Sequence, residues 1–240
     1  GYAEPGNPKL DLNGYDAFAK IRILSSLAFN KNISKNKILT EGIQNINLDD
    51  ILYAKTLGYK IKLLSISEIK NNSLIERVHP CLVDNNSLIA GVNGVLNAVI
   101  IDGEPVGRSV IQGEGAGAGP TSSSLISDLC SILRGNIKYP FGVSYKFRRK
   151  IKNFNIHNLS CSSYFRIEVK DIPGVLSSIT KIFLKNKISI KNLIQNPNKK
   201  NNKASVTIIT HRSLEKNYNN LLNDLKKNKF VLKKPTYIRI

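Results

Sequence analysis

Between Tyr164 and Ile240 the apolar spacing switches from strand-like to helical and back, in an order that leaves few ways to fold. Tyr164–Lys170 sets Phe165, Ile167 and Val169 two residues apart, the period of a strand with one buried face. Asp171-Ile172-Pro173-Gly174 is a turn, and Val175–Lys187 brings Val175, Ile179, Ile182 and Phe183 onto one helical face. Ile188–Gln195 and Ala204–Thr210 read as strands joined through the polar stretch Asn196–Asn202. Ser213 is the expected cap of a helix reaching about Asn228, with Tyr218, Leu221, Leu222 and Leu225 apolar. Phe230–Ile240 closes as a strand, so the predicted order is βαββαβ.

That order is the ferredoxin-like unit. Upstream, Asn13 is the expected N-cap of a helix over Tyr15–Phe29, in which Phe18, Ile21, Leu24 and Ala28 recur at helical spacing. A second helix is expected near Leu48–Gly58, with Asn47 as cap and Asp49 and Asp50 in its first turn. Strands are expected over Tyr59–Ser67, Ser73–Leu82, Ile89–Gly91 and Ala98–Asp102, the last turning at Asp102-Gly103 into Glu104–Gln112. The predicted fold class is therefore α+β: helices on a mostly antiparallel sheet, followed by the βαββαβ unit. Between them, Gly113–Thr121 is a glycine-rich turn leading into a helix over Ser122–Leu133, with Thr121 or Ser122 near its cap, a geometry that suits an anion. The expected divisions are a first domain over 1–135, a linker over 136–160 and a second domain over 161–240.

Charge follows the same division. The 240-residue chain has a net charge of +19, yet residues 1–135 hold 13 basic and 13 acidic residues. The rest hold 23 basic and 4 acidic, which raises the question of a nucleic-acid partner. The lysines are dispersed rather than gathered on one stripe, and compositional drift toward Lys, Asn and Ile accounts for them. RNA-recognition domains share the βαββαβ order but need aromatic residues on the central strands, and Ala204–Thr210 has none. No nucleic acid is expected. No apolar run approaches the roughly 18 residues of a membrane span, so no membrane is expected either. The start Gly1-Tyr2-Ala3-Glu4 does not read as a signal peptide. Cys81, Cys130 and Cys161 are odd in number and lack a CxxC spacing, which favours a reducing compartment. His79 has no second ligand at metal-binding spacing, so packing is its expected role and no metal is expected.

Asp16 and Lys20 lie four apart and share one helix face. By spacing alone they are an exposed ion pair worth about 0.3–0.5 kcal/mol. The whole string Ala3-Glu4-Pro5-Gly6-Asn7-Pro8-Lys9-Leu10-Asp11-Leu12-Asn13-Gly14-Tyr15-Asp16-Ala17-Phe18-Ala19-Lys20 carries more: it closely resembles the signature of homoserine dehydrogenase. Arg77-Val78-His79-Pro80, Asn93-Gly94-Val95, Asn97-Ala98-Val99 and Gly113–Thr121 resemble the same family in the same order. The resemblance implies a substrate-binding and dimerisation domain of an enzyme that interconverts aspartate semialdehyde and homoserine with NADP or NAD, in threonine, methionine and isoleucine biosynthesis. It implies Lys20 as the acid/base and Asp16 as its orienter, with Glu4 and Asp11 holding the substrate ammonium. It implies that Gly113, Gly115 and Gly117 lie beside the cofactor. The family's main cofactor site is a Rossmann domain, and no strand–GxGxxG–helix occurs in these 240 residues, none of which is Met. The chain is therefore read as the C-terminal part of a longer enzyme, expected to be inactive alone.

Residues 163–240 resemble an ACT domain, a regulatory module of amino-acid biosynthetic enzymes, with Asp171-Ile172-Pro173-Gly174-Val175-Leu176 matching its first strand–helix turn. The resemblance implies an amino-acid effector, threonine first, held between subunits near Asp171, Ile172, Gly174 and Val175. A homodimer or homotetramer in the cytoplasm is expected. The competing expectation is a non-catalytic amino-acid-sensing or RNA-binding module.

Overall fold

The computed structural model describes residues 12–33, 37–136, 139, 141–198 and 202–240. Helix α1 (Tyr15–Phe29) is followed by the short strand β1 (Leu39–Thr40), helix α2 (Leu48–Thr56) and the long hairpin of β2 (Tyr59–Lys70) and β3 (Ser73–Asp84). A second hairpin, β4 (Leu96–Gly103) and β5 (Gly107–Glu114), stands as its own two-stranded sheet and leads into α3 (Ala118–Leu133). Short strands β6 (Lys152–Asn153) and β7 (Ser160–Cys161) precede the βαββαβ unit. That unit comprises β8 (Ser163–Lys170), α4 (Val175–Lys185), β9 (Ile190–Asn198) and β10 (Lys203–Thr210). It continues through the bridge strand β11 (Ser213–Leu214), α5 (Glu215–Lys226) and β12 (Thr236–Arg239). Strand and helix types follow the predicted α+β order.

The two halves share one sheet, ordered β1-β3-β12-β8-β10-β9, with β2 and β6 also paired to β3. β12 runs antiparallel to β8 and meets β3 in parallel, Arg239 opposite Cys81. On one face, Phe165, Ile167 and Val169 pack with Val206 and Ile208 against α4 and α5. Phe165 and Phe183 meet edge to face at 5.6 Å, an arrangement that adds about 0.5–1.5 kcal/mol to area burial. On the other face, Tyr164, Ile209 and Ile238 pack against Ala54 of α2 and Leu82 of β3. The middle of the sheet is thus buried on both sides.

Several local expectations need correction. Asn13 does not cap α1; Gly14 does, with φ +77 and no side-chain cap. Gly14 suits this left-handed position, and the Val78 side chain lies about where a Cβ would need room. The inner face of α1 is not the Phe18–Ile21–Leu24–Ala28 stripe but Ile21, Arg22, Ser25 and Ser26. Small side chains let the helix lie close to the hairpin, where Ser67 Oγ bonds Ser25 Oγ at 2.9 Å, and they turn Ile23, Leu24 and Leu27 to solvent. Ile89–Gly91 is not a strand but part of a 3₁₀ turn over Leu88–Gly91, whose Ala90 N–H donates to Ser87 Oγ. The return strand starts at Gly107 rather than Glu104, with Glu104 and Pro105 in the turn before it. α3 starts four residues earlier than expected, capped by Gly117 rather than Thr121 or Ser122. Ser213 pairs in β11 opposite Cys161, leaving Leu214 as the α5 cap. The final strand is confined to Thr236–Arg239, although Val231 bridges to Val169. The segment expected as a linker contributes Lys152 and Asn153 to the edge of β3.

Candidate active site and effector cavity

The α1 helix carries the first candidate site. Lys20 Nζ lies 2.7 Å from Asp16 Oδ2, with both side chains about half exposed. Ile23, Leu24 and Leu27 continue the same face toward the C-terminal end of the helix and are 41–51% exposed. A charged pair followed by an exposed apolar stripe is the face that a covering body would meet. Glu4 and Asp11 lie outside the described residues.

The entry to α1 is held from the other side. Ile43 N–H donates to Leu12 O at 2.9 Å, and Glu41 N–H donates to Val78 O at 2.8 Å. Gly42 sits so close that a Cβ there would meet Leu12 O at 1.9 Å. The strip 41–43 therefore forms the wall against which residues 12–14 turn into the helix.

The second candidate group is the turn after β5. Gly113 pairs with Asn97 across the hairpin, and Gly115 N–H donates to Val95 O at 3.3 Å. Asn97 packs over Gly115, where a Cβ would overlap its amide group. Gly117, with φ +123, opens α3 without a side-chain cap, leaving the first-turn amides without intrahelical partners. Gly113 and Gly119 face open space, so a flat ligand can approach this backbone closely. α3 exposes Leu125, Ile126, Leu129, Ile132 and Leu133, and the hairpin exposes Ile101, Val106, Val110 and Ile111.

The third group lines a cavity of about 500 Å³ at the N-terminus of α4, formed by Asp171, Ile172, Gly174 and Val175 with Ser177 and Gln195. Gly174 caps the helix at φ +89 with no side-chain hydrogen bond, so the first-turn amides can receive an anion. Asp171 accepts from Gln195 Nε2 at 3.1 Å, and its own N–H donates to Asn202 O. Gln195, supplied by β9, was not legible as a site residue. The only available signal was a polar residue breaking the Ile190–Leu193–Ile194 apolar run.

His79 and Cys81 are buried together on β3, Cys81 Sγ 3.1 Å from His79 Nδ1, which also faces Pro80 O at 3.0 Å. Burial first, then the Arg239 and Arg77 charges, push His79 down to about 3. Burial raises the Cys81 thiol to about 12. Both are neutral at pH 7, which suits packing rather than proton transfer. Among the described residues no three His, Cys, Asp or Glu side chains gather as a metal site, and no helix is long and apolar enough to cross a membrane.

Comparison with known proteins finds two family patterns along the chain. The homoserine dehydrogenase family pattern matches residues 1–130 and the ACT domain pattern residues 163–230. A homoserine dehydrogenase of Helicobacter pylori is 38% identical over 240 residues, covering all of this chain and 56% of that enzyme. One of Pseudomonas aeruginosa is 35% identical over 229 residues, covering 92% of this chain and 52% of its own length. The crystal structure of a homoserine dehydrogenase from Thiobacillus denitrificans superposes with a TM-score of 0.88 at 33% identity, over 99% of this chain and 55% of that one. The chain thus spans about half the length of the curated relatives it matches.

Proposed function

From the premise that the chain belongs to the homoserine dehydrogenase family, we propose that it is the substrate-binding, dimerisation and regulatory part of an enzyme interconverting L-aspartate 4-semialdehyde and L-homoserine. The observation that carries this reading is the Asp16–Lys20 pair, at 2.7 Å on the exposed face of α1 within the matched segment. Lys20 holds the proton that reaches the substrate's carbonyl oxygen and stabilises the charge building there. Asp16 keeps the ammonium group aimed. Glu4 and Asp11 anchor the substrate's ammonium, so the reacting carbon has little freedom to misorient.

The cofactor, NADP or NAD, supplies the hydride when bound. Gly113, Gly115 and Gly117 are the residues of this chain that would adjoin it, and the open backbone at Gly113 together with the uncapped start of α3 fits that role. Most of the cofactor site belongs to a nucleotide-binding domain outside this chain, so the 240 residues alone are inactive. The apolar faces of α1, α3 and the β4–β5 hairpin support contact with that domain and with a second copy in a homodimer or homotetramer. The domain limits follow as 1–135, 136–160 and 161–240, and the cytoplasm as the compartment, in keeping with three free cysteines.

The cavity at Asp171–Val175 is the effector site. The α4 amides receive an amino acid's carboxylate and Asp171 its ammonium, with threonine the first candidate. Joined to an upstream nucleotide-binding domain, the chain should reduce aspartate semialdehyde. Lys20→Ala should lower kcat by about 10²–10⁴-fold with unaltered melting. Near-normal turnover in that variant would remove Lys20 from the chemistry.

A further inference from the structure

The C-terminal strand ends in a charge cluster that joins three separate elements. Arg239 donates to Glu41 through Nη1 to Oε2 at 2.7 Å and through Nη2 to Oε1 at 3.2 Å. Its other edge holds Glu215, at the start of α5, through Nε to Oε2 at 3.2 Å and a short Nη2 bond to Oε1. The guanidinium also lies over the Tyr237 ring at 4.7 Å, and the Tyr237 hydroxyl donates to Glu215 Oε2 at 3.0 Å. Arg239 and Glu215 are almost fully buried, while Glu41 is 39% exposed.

Glu41 is the connection to the candidate active site. Its carboxylate is held by Arg239, and its backbone continues into the strip that walls residues 12–14. Gly42 lies against Leu12 O, Ile43 N–H donates to that oxygen, and the Glu41 carbonyl sits 3.4 Å from the place of a Gly14 Cβ. Two residues beyond Gly14 comes Asp16, and one turn later Lys20. Arg239 in turn sits on β12, the strand shared between the ACT sheet and β3. A displacement of the ACT sheet must therefore move the Glu41 strip or break the fork that holds it.

We propose that Glu41 and Arg239 are positioning residues, a two-point fork through which the ACT unit sets the entry of α1 and so the placement of the Asp16–Lys20 pair. The fork geometry requires a guanidinium, because lysine offers a single charge without the planar pair of donors. This rests on the reading of Asp16 and Lys20 as catalytic, but its test does not depend on turnover.

Amide hydrogen exchange of the full 240-residue chain reads the coupling directly. Glu41→Gln keeps the shape of a partly exposed side chain and removes its charge. Exchange at Ile43 and over residues 13–20 should rise at least tenfold, while the ACT core amides 164–169 stay unchanged. Arg239→Lys should do the same, and Glu41→Asp should restore most of the protection. In the enzyme joined to its nucleotide-binding domain, Glu41→Gln should lower kcat more than it raises KM, and Glu41→Asp should recover most of that loss, the mark of a misplaced rather than a missing proton carrier. If only residues 41–43 loosen and 13–20 exchange as before, the coupling is overturned. A uniform rise that includes 164–169 overturns it too, since the pair would then serve general stability. Lys20→Ala tests the catalytic reading separately: full turnover in that variant would remove the chemistry while leaving the exchange result standing.

Discussion

Arg166 on β8 grips Asp50 on α2 at two points, Nε to Oδ1 at 2.6 Å and Nη2 to Oδ2 at 3.2 Å, with the arginine 6% and the carboxylate 0% exposed. Asp50 is also the third residue of the α2 capping box, receiving the Asn47 N–H at 3.1 Å, and it accepts from the Tyr164 hydroxyl at 3.2 Å. One carboxylate therefore caps the start of a helix in the first half of the chain and neutralises a buried cation in the second. Arg166→Ala leaves that carboxylate charged and buried, at a cost of about 3–5 kcal/mol. Urea unfolding should show the loss as a lower midpoint; a change under about 1 kcal/mol would mean that water reaches Asp50 and relieves it.

His79 makes stability depend on pH. Its ordinary value of 6.5 applies to the unfolded chain, and in the folded protein burial, followed by the Arg239 and Arg77 charges, lowers it to about 3. Between those values the unfolded chain binds a proton that the folded chain refuses. The contribution is therefore complete above about pH 6.5 and is lost as pH falls toward 3. Its full size is on the order of 5 kcal/mol. His79→Gln should flatten the fall in unfolding free energy between pH 6.5 and 4.5, and parallel curves for the two proteins would remove His79 as its source.

Two glycines differ in what limits them. At Gly42 an added Cβ meets backbone, Leu12 O at 1.9 Å and Asn13 Cα at 2.6 Å. At Gly115 it meets only the end of the exposed Asn97 side chain, which can swing away. Gly42→Ala should cost about 1–3 kcal/mol and shift the start of α1, whereas Gly115→Ala should cost well under 1 kcal/mol. Equal melting temperatures for the two variants would contradict this ordering.

Gly174 combines a φ of +89 with the mouth of the cavity proposed above for an amino-acid effector. A β-branched residue there adopts the left-handed conformation at a cost of about 1–2 kcal/mol and places methyl groups beside the first-turn amides of α4. Calorimetry with millimolar L-threonine should give heat with the parent chain and at least tenfold weaker binding with Gly174→Val. Undiminished binding in a folded Gly174→Val chain would place the effector elsewhere.

The sequence alone determined the features that depend on near neighbours. Period-two and period-3.6 patterns over Tyr164–Lys170 and Val175–Lys187 record the burial of one face, and Asn47 is adjacent to the helix it caps. Asp16 and Lys20 meet because a helix brings residues four apart together, whatever the rest of the chain does. Tertiary structure decided what covers each face. Arg166 alternates with Phe165 and Ile167 and so reads as solvent-facing, yet α2 covers that side of the sheet and Asp50 waits 116 residues away. Leu24 reads as core, yet Ser25 and Ser26 are the residues that let α1 approach the hairpin. Glu41 and Arg239, 198 residues apart, carry no local pattern at all. Periodicity states which side chains point the same way, but the partner that neutralises a charge or buries a face is fixed only when distant strands join one sheet.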